Sequence, residues 1–299
     1  MKALLAAGAD IAATCTQGMV PLHLASQGGH EGHEGAMALL LDAGADVGAR
    51  CNEGMAALHL ASKFGHAGAM RLLLDAGVDA STVVEGATTP ADWCPFQDLG
   101  ESGEWIKEMF MKPGKEETLA GFRAQRLRER GDNGRTPLHL AALHGREGAV
   151  KALIDAGADL AAKDPRGETP LHSAVQASSM QAVKLMLAAG ADASAQDRCG
   201  EVILHSAVIT RSAEVVQLLL AAGASGVSDK ACSFGFTPLQ LSAMMGSVKM
   251  ARVLLDAGAS EEAKDDEAPE LPRSDVEVQP LERAFACRSS RASSVRLGA

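Results

Sequence analysis

The sequence predicts an all-α solenoid of stacked helix-turn-helix units, and three observations predict it. Thr136-Pro137-Leu138-His139-Leu140-Ala141 returns as Thr169-Pro170-Leu171-His172-Ser173-Ala174, 33 residues later. Glycines open successive units at Gly134, Gly167, Gly200 and Gly235, spaced 33, 33 and 35 residues apart. Each unit then closes on Gly-Ala-Asp or a near variant: Gly157-Ala158-Asp159, Gly190-Ala191-Asp192, Gly223-Ala224-Ser225 and Gly258-Ala259-Ser260. A fixed period of this length marks an array of supersecondary units, each too small to bury its own apolar face. Stacking of neighbours makes the core.

Lys2–Ala13 matches Lys151–Ala162 at nine of twelve positions. Residues 1–14 therefore read as the second helix of a half repeat, not as a signal peptide. Ala3, Leu4 and Leu5 stand where an end repeat carries a polar face, so the chain is expected to be a fragment or to start further upstream. Residues 15–83 hold two repeats. Gly18 leads to Pro21-Leu22-His23 and Gly44-Ala45-Asp46, and Gly54 leads to Leu58-His59 and Gly77-Val78-Asp79. The first is three residues longer because His30-Glu31-Gly32 is followed at once by His33-Glu34-Gly35. That triplet is expected to lengthen the turn between two helices, at small entropic cost.

Gly86 and Gly134 are 48 residues apart, one repeat plus about fifteen residues. Residues 84–130 read as a degenerate repeat with an inserted helix. Thr89-Pro90-Ala91-Asp92 resembles a repeat start, Pro95 cuts the first helix short, and Trp105, Ile106, Met109 and Phe110 form the face of a second. Residues 115–130 add an amphipathic helix, with Leu119, Phe122 and Leu127 apolar and Arg123, Arg126 and Arg130 on another face. Between a docking helix and an extension helix packed along the stack, the second is the expectation. Coupling between neighbours should be weakest here, so that 1–83 and 131–265 unfold as separate units.

Residues 131–265 hold four repeats: 131–163, 164–196, 197–231 and 232–265. In the first, Asp132-Asn133-Gly134 signals a turn. Thr136 is placed to N-cap, and Pro137 takes the first helical position, where its missing N–H is no loss. Leu138, Ala141 and Ala142 form one apolar face. Val150, Leu153 and Ile154 form that of a second helix, which Gly157 ends. Beyond Asp265 the pattern stops. The Pro/Glu-rich and Ser/Arg-rich tail 266–299 cannot build a core and is expected to be disordered. Arg291 and Ser293 in it resemble a basophilic kinase site.

Turn, Gly-x-Thr-Pro-Leu-His, short helix, Gly-His turn, Leu-rich helix and Gly-Ala-Asp together resemble the ankyrin repeat family. The resemblance implies an ankyrin-type solenoid with β-turn or hairpin tips: about six clear repeats, an N-terminal half repeat and one degenerate repeat. It implies that His23, His59, His139, His172 and His205 hydrogen-bond backbone and tie one layer to the next. It also implies a non-catalytic protein–protein interaction scaffold or adaptor that binds other proteins on its concave face. By position, that face takes Met55, Lys63 and Phe64; Arg135, Leu143 and His144; Arg166 and Glu168; Arg198, Glu201 and Ile209; and Phe234, Phe236, Met244 and Met245. Exposed Phe and Met in the last repeat would make an apolar contact patch, and Arg135, Arg166 and Arg198 a ladder that reads acidic groups. The alternative is a substrate-recognition or targeting fragment of a larger multidomain protein, such as a ubiquitin-ligase receptor.

Composition excludes other classes. A net charge of −10 with no basic stripe argues against nucleic acid, and no apolar run reaches membrane-spanning length. Only 3% of residues are aromatic, and none is tyrosine, which suits a core of Leu and Ala. The cysteines form no Cys-x-x-Cys pair, so zinc is not expected. Cys15 and Cys51 share one repeat position, which helix packing spaces about 8–10 Å apart. That exceeds disulfide reach of about 7 Å. Free thiols imply a reducing interior, cytoplasmic or nuclear. His30-Glu31-Gly32-His33 has neither the spacing nor the helix of a zinc-hydrolase motif. No nucleophile elbow, phosphate loop or dinucleotide fingerprint occurs in a strand-to-helix setting. No enzyme activity, cofactor, metal or small-molecule substrate is therefore expected.

Overall fold

The computed structural model describes residues 1–28, 31–85, 132, 134–198, 200–224 and 236–260. Among them are thirteen α-helices. After the short α1 (Lys2–Ala6), they come in pairs: α2 (Pro21–Gly28) with α3 (Glu31–Asp42), α4 (Ala57–Phe64) with α5 (Ala67–Asp75), α6 (Pro137–Leu143) with α7 (Glu147–Asp155), and α8 (Pro170–Gln176) with α9 (Met180–Ala188). Two more pairs follow: α10 (Ile203–Ile209) with α11 (Ala213–Ala221), and α12 (Pro238–Met244) with α13 (Val248–Asp256). Among the described residues there is no strand, only an isolated antiparallel bridge between Gln196 and Val202.

The chain divides into two compact units. In the first, residues 1–92 with 132–192, the first helices α2, α4, α6 and α8 pack in series, and the second helices α3, α5, α7 and α9 form a parallel row. The core lies between the rows. Leu58, Met70, Leu73, Leu138, Leu153, Leu171 and Met186 are fully buried, and Ala61, Ala69, Ala141, Ala149 and Ala182 let the helices approach closely. The second unit, residues 93–131 with 193–299, repeats the arrangement with α10, α11, α12 and α13, around Ile203, Leu204, Val216, Leu219 and Leu254.

Cap chemistry follows the residue types. Thr136 and Thr237 hold extended backbone and accept the N–H of His139 and Gln240. Pro137, Pro170 and Pro238 fill the first helical position. Val202 and Ala56 occupy the same cap position and make no side-chain cap bond. At both, the histidine three residues on accepts the cap residue's own N–H, His59 from Ala56 at 3.1 Å and His205 from Val202 at 3.2 Å.

The duplicated triplet differs from expectation. α3 has 12 residues where α5, α7 and α9 have 9, and two residues separate α2 from α3 as they do α4 from α5, so the insertion lengthens the helix and not the turn. Three residues are close to one helical turn of about 3.6, so the buried face keeps its register: Met37 and Leu40 are fully buried. His30 lies outside the described residues.

The described residues on the two sides of the interruption meet. α4 packs directly against α6, and α5 against α7, within one compact unit. Cys51, Met55, Leu60, Val84 and Leu140 share one apolar cluster, with Met19 against it. The first compact unit holds residues on both sides of the interruption, 1–92 and 132–192. The helices expected within 84–130, and the tail 266–299, lie outside the described residues.

Candidate functional site

Among the described residues, repeats begin with a five-residue turn, here called a finger. In the finger Cys51–Met55 the N–H of Cys51 donates to the Met55 carbonyl at 3.0 Å, and the N–H of Gly54 to the Cys51 carbonyl at 2.8 Å. Asp164–Glu168 repeats this at 2.9 and 2.8 Å, and Cys15–Met19 at 3.0 and 2.8 Å. Fingers also bond to one another: the backbone N–H of Asn52 reaches the Gln17 carbonyl at 2.9 Å, and its side-chain amide the Thr16 carbonyl at 3.2 Å.

The histidines fix each finger to the layer before it. In His59 the Nδ1 accepts the N–H of Ala56 at 3.1 Å while Nε2 donates to the Thr82 carbonyl at 3.0 Å. His23 reaches Met55 at 3.1 Å and His139 reaches Glu168 at 3.1 Å, each carbonyl belonging to the next finger, and His205 reaches the Phe236 carbonyl, just ahead of α12, at 2.9 Å. Nδ1 accepts in every case, so only the neutral ring with its proton on Nε2 satisfies both bonds. Burial, the largest effect, lowers the pKa of all these rings, that of His59 to about 4. His172, accepting from Thr169 at 3.0 Å, is likewise lowered to about 4 by burial. The layer-tying role expected of the histidines is present at His23, His139 and His205.

Within the first unit, a polar network joins the fingers to the ends of the first helices. Lys63 Nζ lies 2.6 Å from Asp132 Oδ2. Arg135 sits between two carboxylates, 3.7 Å from Asp132 and 3.6 Å from Asp164. Asp164 Oδ1 accepts the backbone N–H of Arg166 and of Glu168, at 2.9 and 3.0 Å. Glu168 Oε1 receives Gln176 at 2.8 Å and Arg166 at 3.4 Å. Arg50 crosses a finger, donating to Gly54 and Val83 carbonyls and pairing with Glu85 at 3.2 Å.

This arrangement corrects the exposure expected of four candidate residues. Met55 is buried in the apolar cluster between fingers. Arg135, 2% exposed, and Glu168, 5%, are consumed by the network, since a buried charge must be paired. Phe236, in the second unit, is 4% exposed, so it offers little of the apolar patch expected there. Arg166 is mostly covered beside Glu168, so neither it nor Arg135 stands out as a free arginine rung. Phe64 and His144 are exposed, and Lys63 and Leu143 half-buried, at the ends of α4 and α6. In adjacent layers, Arg146 Nε donates to the Lys63 carbonyl at 3.2 Å, and the Phe64 ring stacks on His66 with centroids 6.3 Å apart. In the second unit Arg198 is exposed, and Glu201, Ile209 and Met245 are half-buried. Phe234 and the Met244 side chain lie outside what is described. Asp132, Asp164, Gln176 and Arg50 are network members that sequence pattern did not single out. Asp132 carried only a turn signal.

Cys15 and Cys51 are free thiols. Among the described residues no helix is long and apolar enough to cross a membrane.

Paired antiparallel helices, fingers of one hydrogen-bond pattern and a histidine bridge between layers define a repeat solenoid of the ankyrin type. The chain belongs to the ankyrin repeat family: the family model described as Ankyrin repeats matches it in three copies, over residues 1–83, 110–197 and 177–265. Among solved structures it is similar to the human ASB11 ankyrin repeat domain, with a TM-score of 0.63 and 22% identity over 87% of this chain and 92% of that one. At that identity the likeness speaks for the fold. No curated protein matches the chain. Ankyrin repeats are in general protein–protein interaction modules.

Proposed function

We propose that the chain is a non-catalytic scaffold or adaptor that takes a protein partner on the inner rim of its stack. The carrying observation is the pairing of a fixed base with open side chains. The Lys63–Asp132–Arg135–Asp164 network immobilises the fingers, and next to it Phe64 and His144 stand exposed in adjacent layers with Leu143 half-buried. A preorganised surface with an aromatic anchor loses less entropy on binding, and such anchors dominate interface energetics. Lys63, Phe64, Leu143 and His144 are the contact residues of this reading. Met55, Arg135, Arg166 and Glu168 shape the base. Arg198, Glu201 and Met245 belong to a separate contact surface on the second unit, and Phe236 to its base. Free thiols at Cys15 and Cys51 favour the cytoplasm or nucleus as the compartment.

The test is capture of partners from cell extract by the full chain, quantified by mass spectrometry, against Phe64→Ser with His144→Glu and against Lys151→Ala on the second-helix row. The proteins retained by the parent and by Lys151→Ala should fall at least tenfold with the double variant, given about 1–2 kcal/mol per lost anchor. An unchanged set with the double variant overturns the placement.

A further inference from the structure

We infer that Val84-Glu85 and Gly134-Arg135 are the two halves of a single finger, interrupted in sequence by residues 86–131, so that α4 and α6 belong to adjacent layers. Equivalent hydrogen bonds at equivalent positions carry the assignment. In the uninterrupted fingers the first residue donates its N–H to the carbonyl of the fifth: Cys15 to Met19 at 3.0 Å, Cys51 to Met55 at 3.0 Å, Asp164 to Glu168 at 2.9 Å, Asp197 to Glu201 at 3.0 Å. Val84 donates to Arg135 at 2.9 Å. The fourth residue, a glycine, donates back to the first: Gly18 to Cys15, Gly54 to Cys51 and Gly167 to Asp164, all at 2.8 Å. Gly134 donates to Val84 at 2.8 Å. Val84 thus holds the first position, Gly134 the fourth and Arg135 the fifth, although about fifty residues separate the two halves in sequence.

The surroundings of the split finger agree. Asn52, second in its finger, bonds to the preceding finger through Gln17, and Glu85, second in the split one, bonds to the preceding finger through Gly54 at 3.1 Å. Val84 is 2% exposed and packs with Met55, Leu60 and Leu140, which closes the layer beneath. Arg135 then leads directly into Thr136 and α6, as Met55 leads into Ala56 and α4. Val84, Glu85 and the helices α6 and α7 therefore make one repeat, and α4 has α6 as its neighbour. The interruption is not a point of weak coupling, because backbone pairing, a buried apolar cluster and the Lys63–Asp132 ion pair all cross it. Chain topology permits the insertion because closure entropy grows only with the logarithm of loop length.

Two measurements test this. In the unaltered full chain, hydrogen exchange at the Val84 and Gly134 amides should be slowed to within about tenfold of Cys51 and Gly54, their counterparts in the intact finger. Exchange of Val84 and Gly134 at the unstructured rate while Cys51 and Gly54 stay protected overturns the inference. In the second, residues 86–131 and Asn133 are deleted from the full chain. This leaves Val84-Glu85-Asp132-Gly134-Arg135, a finger as long as Cys51–Met55. Amides of α4 and α6 should keep protection within about threefold of the parent. Loss of protection in α4 and α6, with α8 and α9 unaffected, also overturns it.

Discussion

Gly54 and Gly77 share a backbone conformation, with φ of +73° and +84°, but not a neighbourhood. A side chain added at Gly77 meets nothing within 4 Å, whereas a Cβ at Gly54 lands on the Glu85 carbonyl. Alanine at Gly77 costs the left-handed conformation, about 1–2 kcal/mol, offset by about 0.4–1 kcal/mol from the stiffer unfolded chain. The net loss should be roughly 1 kcal/mol. Alanine at Gly54 bears the same backbone term and must also push Val84-Glu85 away. That endangers the Glu85 N–H to Gly54 bond at 3.1 Å, the Arg50 to Gly54 bond at 3.0 Å and the Gly134 N–H to Val84 bond at 2.8 Å. At about 1 kcal/mol net per hydrogen bond, loss of two or three brings the total to about 3–4 kcal/mol. Urea unfolding followed by circular dichroism, with slopes compared to establish that the transition is unchanged in kind, measures both. A Gly54→Ala variant no less stable than Gly77→Ala refutes the reasoning, because the Val84-Glu85 segment would then not be held against the finger.

The pH dependence follows from the histidines. The folded-state pKa of His172 is about 4 against 6.5 for the unfolded ring, so the unfolded chain takes the proton first. Its contribution is complete above pH 6.5 and is lost as pH falls towards 4, on the order of 3 kcal/mol over that window. His172→Gln copies Gln240, whose Oε1 accepts the Thr237 N–H at 2.8 Å. That variant should lose less stability than the parent between about pH 7 and about pH 5 in urea titrations. Equal losses in the two proteins refute it. Ser178 holds φ of +55°. Ser178→Gly should therefore raise stability by about 0.5–1 kcal/mol, read as a higher melting temperature; a lower one is the contrary result. A double-mutant cycle on Lys63→Met and Asp132→Asn should return a coupling of about 1 kcal/mol for this partly covered pair at 2.6 Å. Zero coupling removes the pair from the network.

The repeating part of the fold was legible because its determinants are local. Thr136 caps, Pro137 starts a helix and Leu138 and Leu153 face inward by sequence position alone, and the structure places each accordingly. Exposure at the fingers was not legible, because the fifth finger position points between two fingers and its burial depends on both neighbours. Met55 is covered by Val84 and Leu140, and Arg135 by Asp132 and Asp164, partners that no periodicity assigns.

The interruption shows the same limit from the other side. Gly86 resembles the opening glycine of a new repeat, so counting from it yields a layer of its own. What closes the finger is two backbone hydrogen bonds and an apolar contact of Val84, and backbone groups leave no trace in side-chain patterns. A valine at the first finger position, where Cys51 and Asp164 stand elsewhere, offered nothing to count. The consequence reaches the binding surface. Lys63 and Phe64 at the end of α4 lie one layer from Leu143 and His144 at the end of α6, and not two, so a partner can engage both pairs across a single step of the stack.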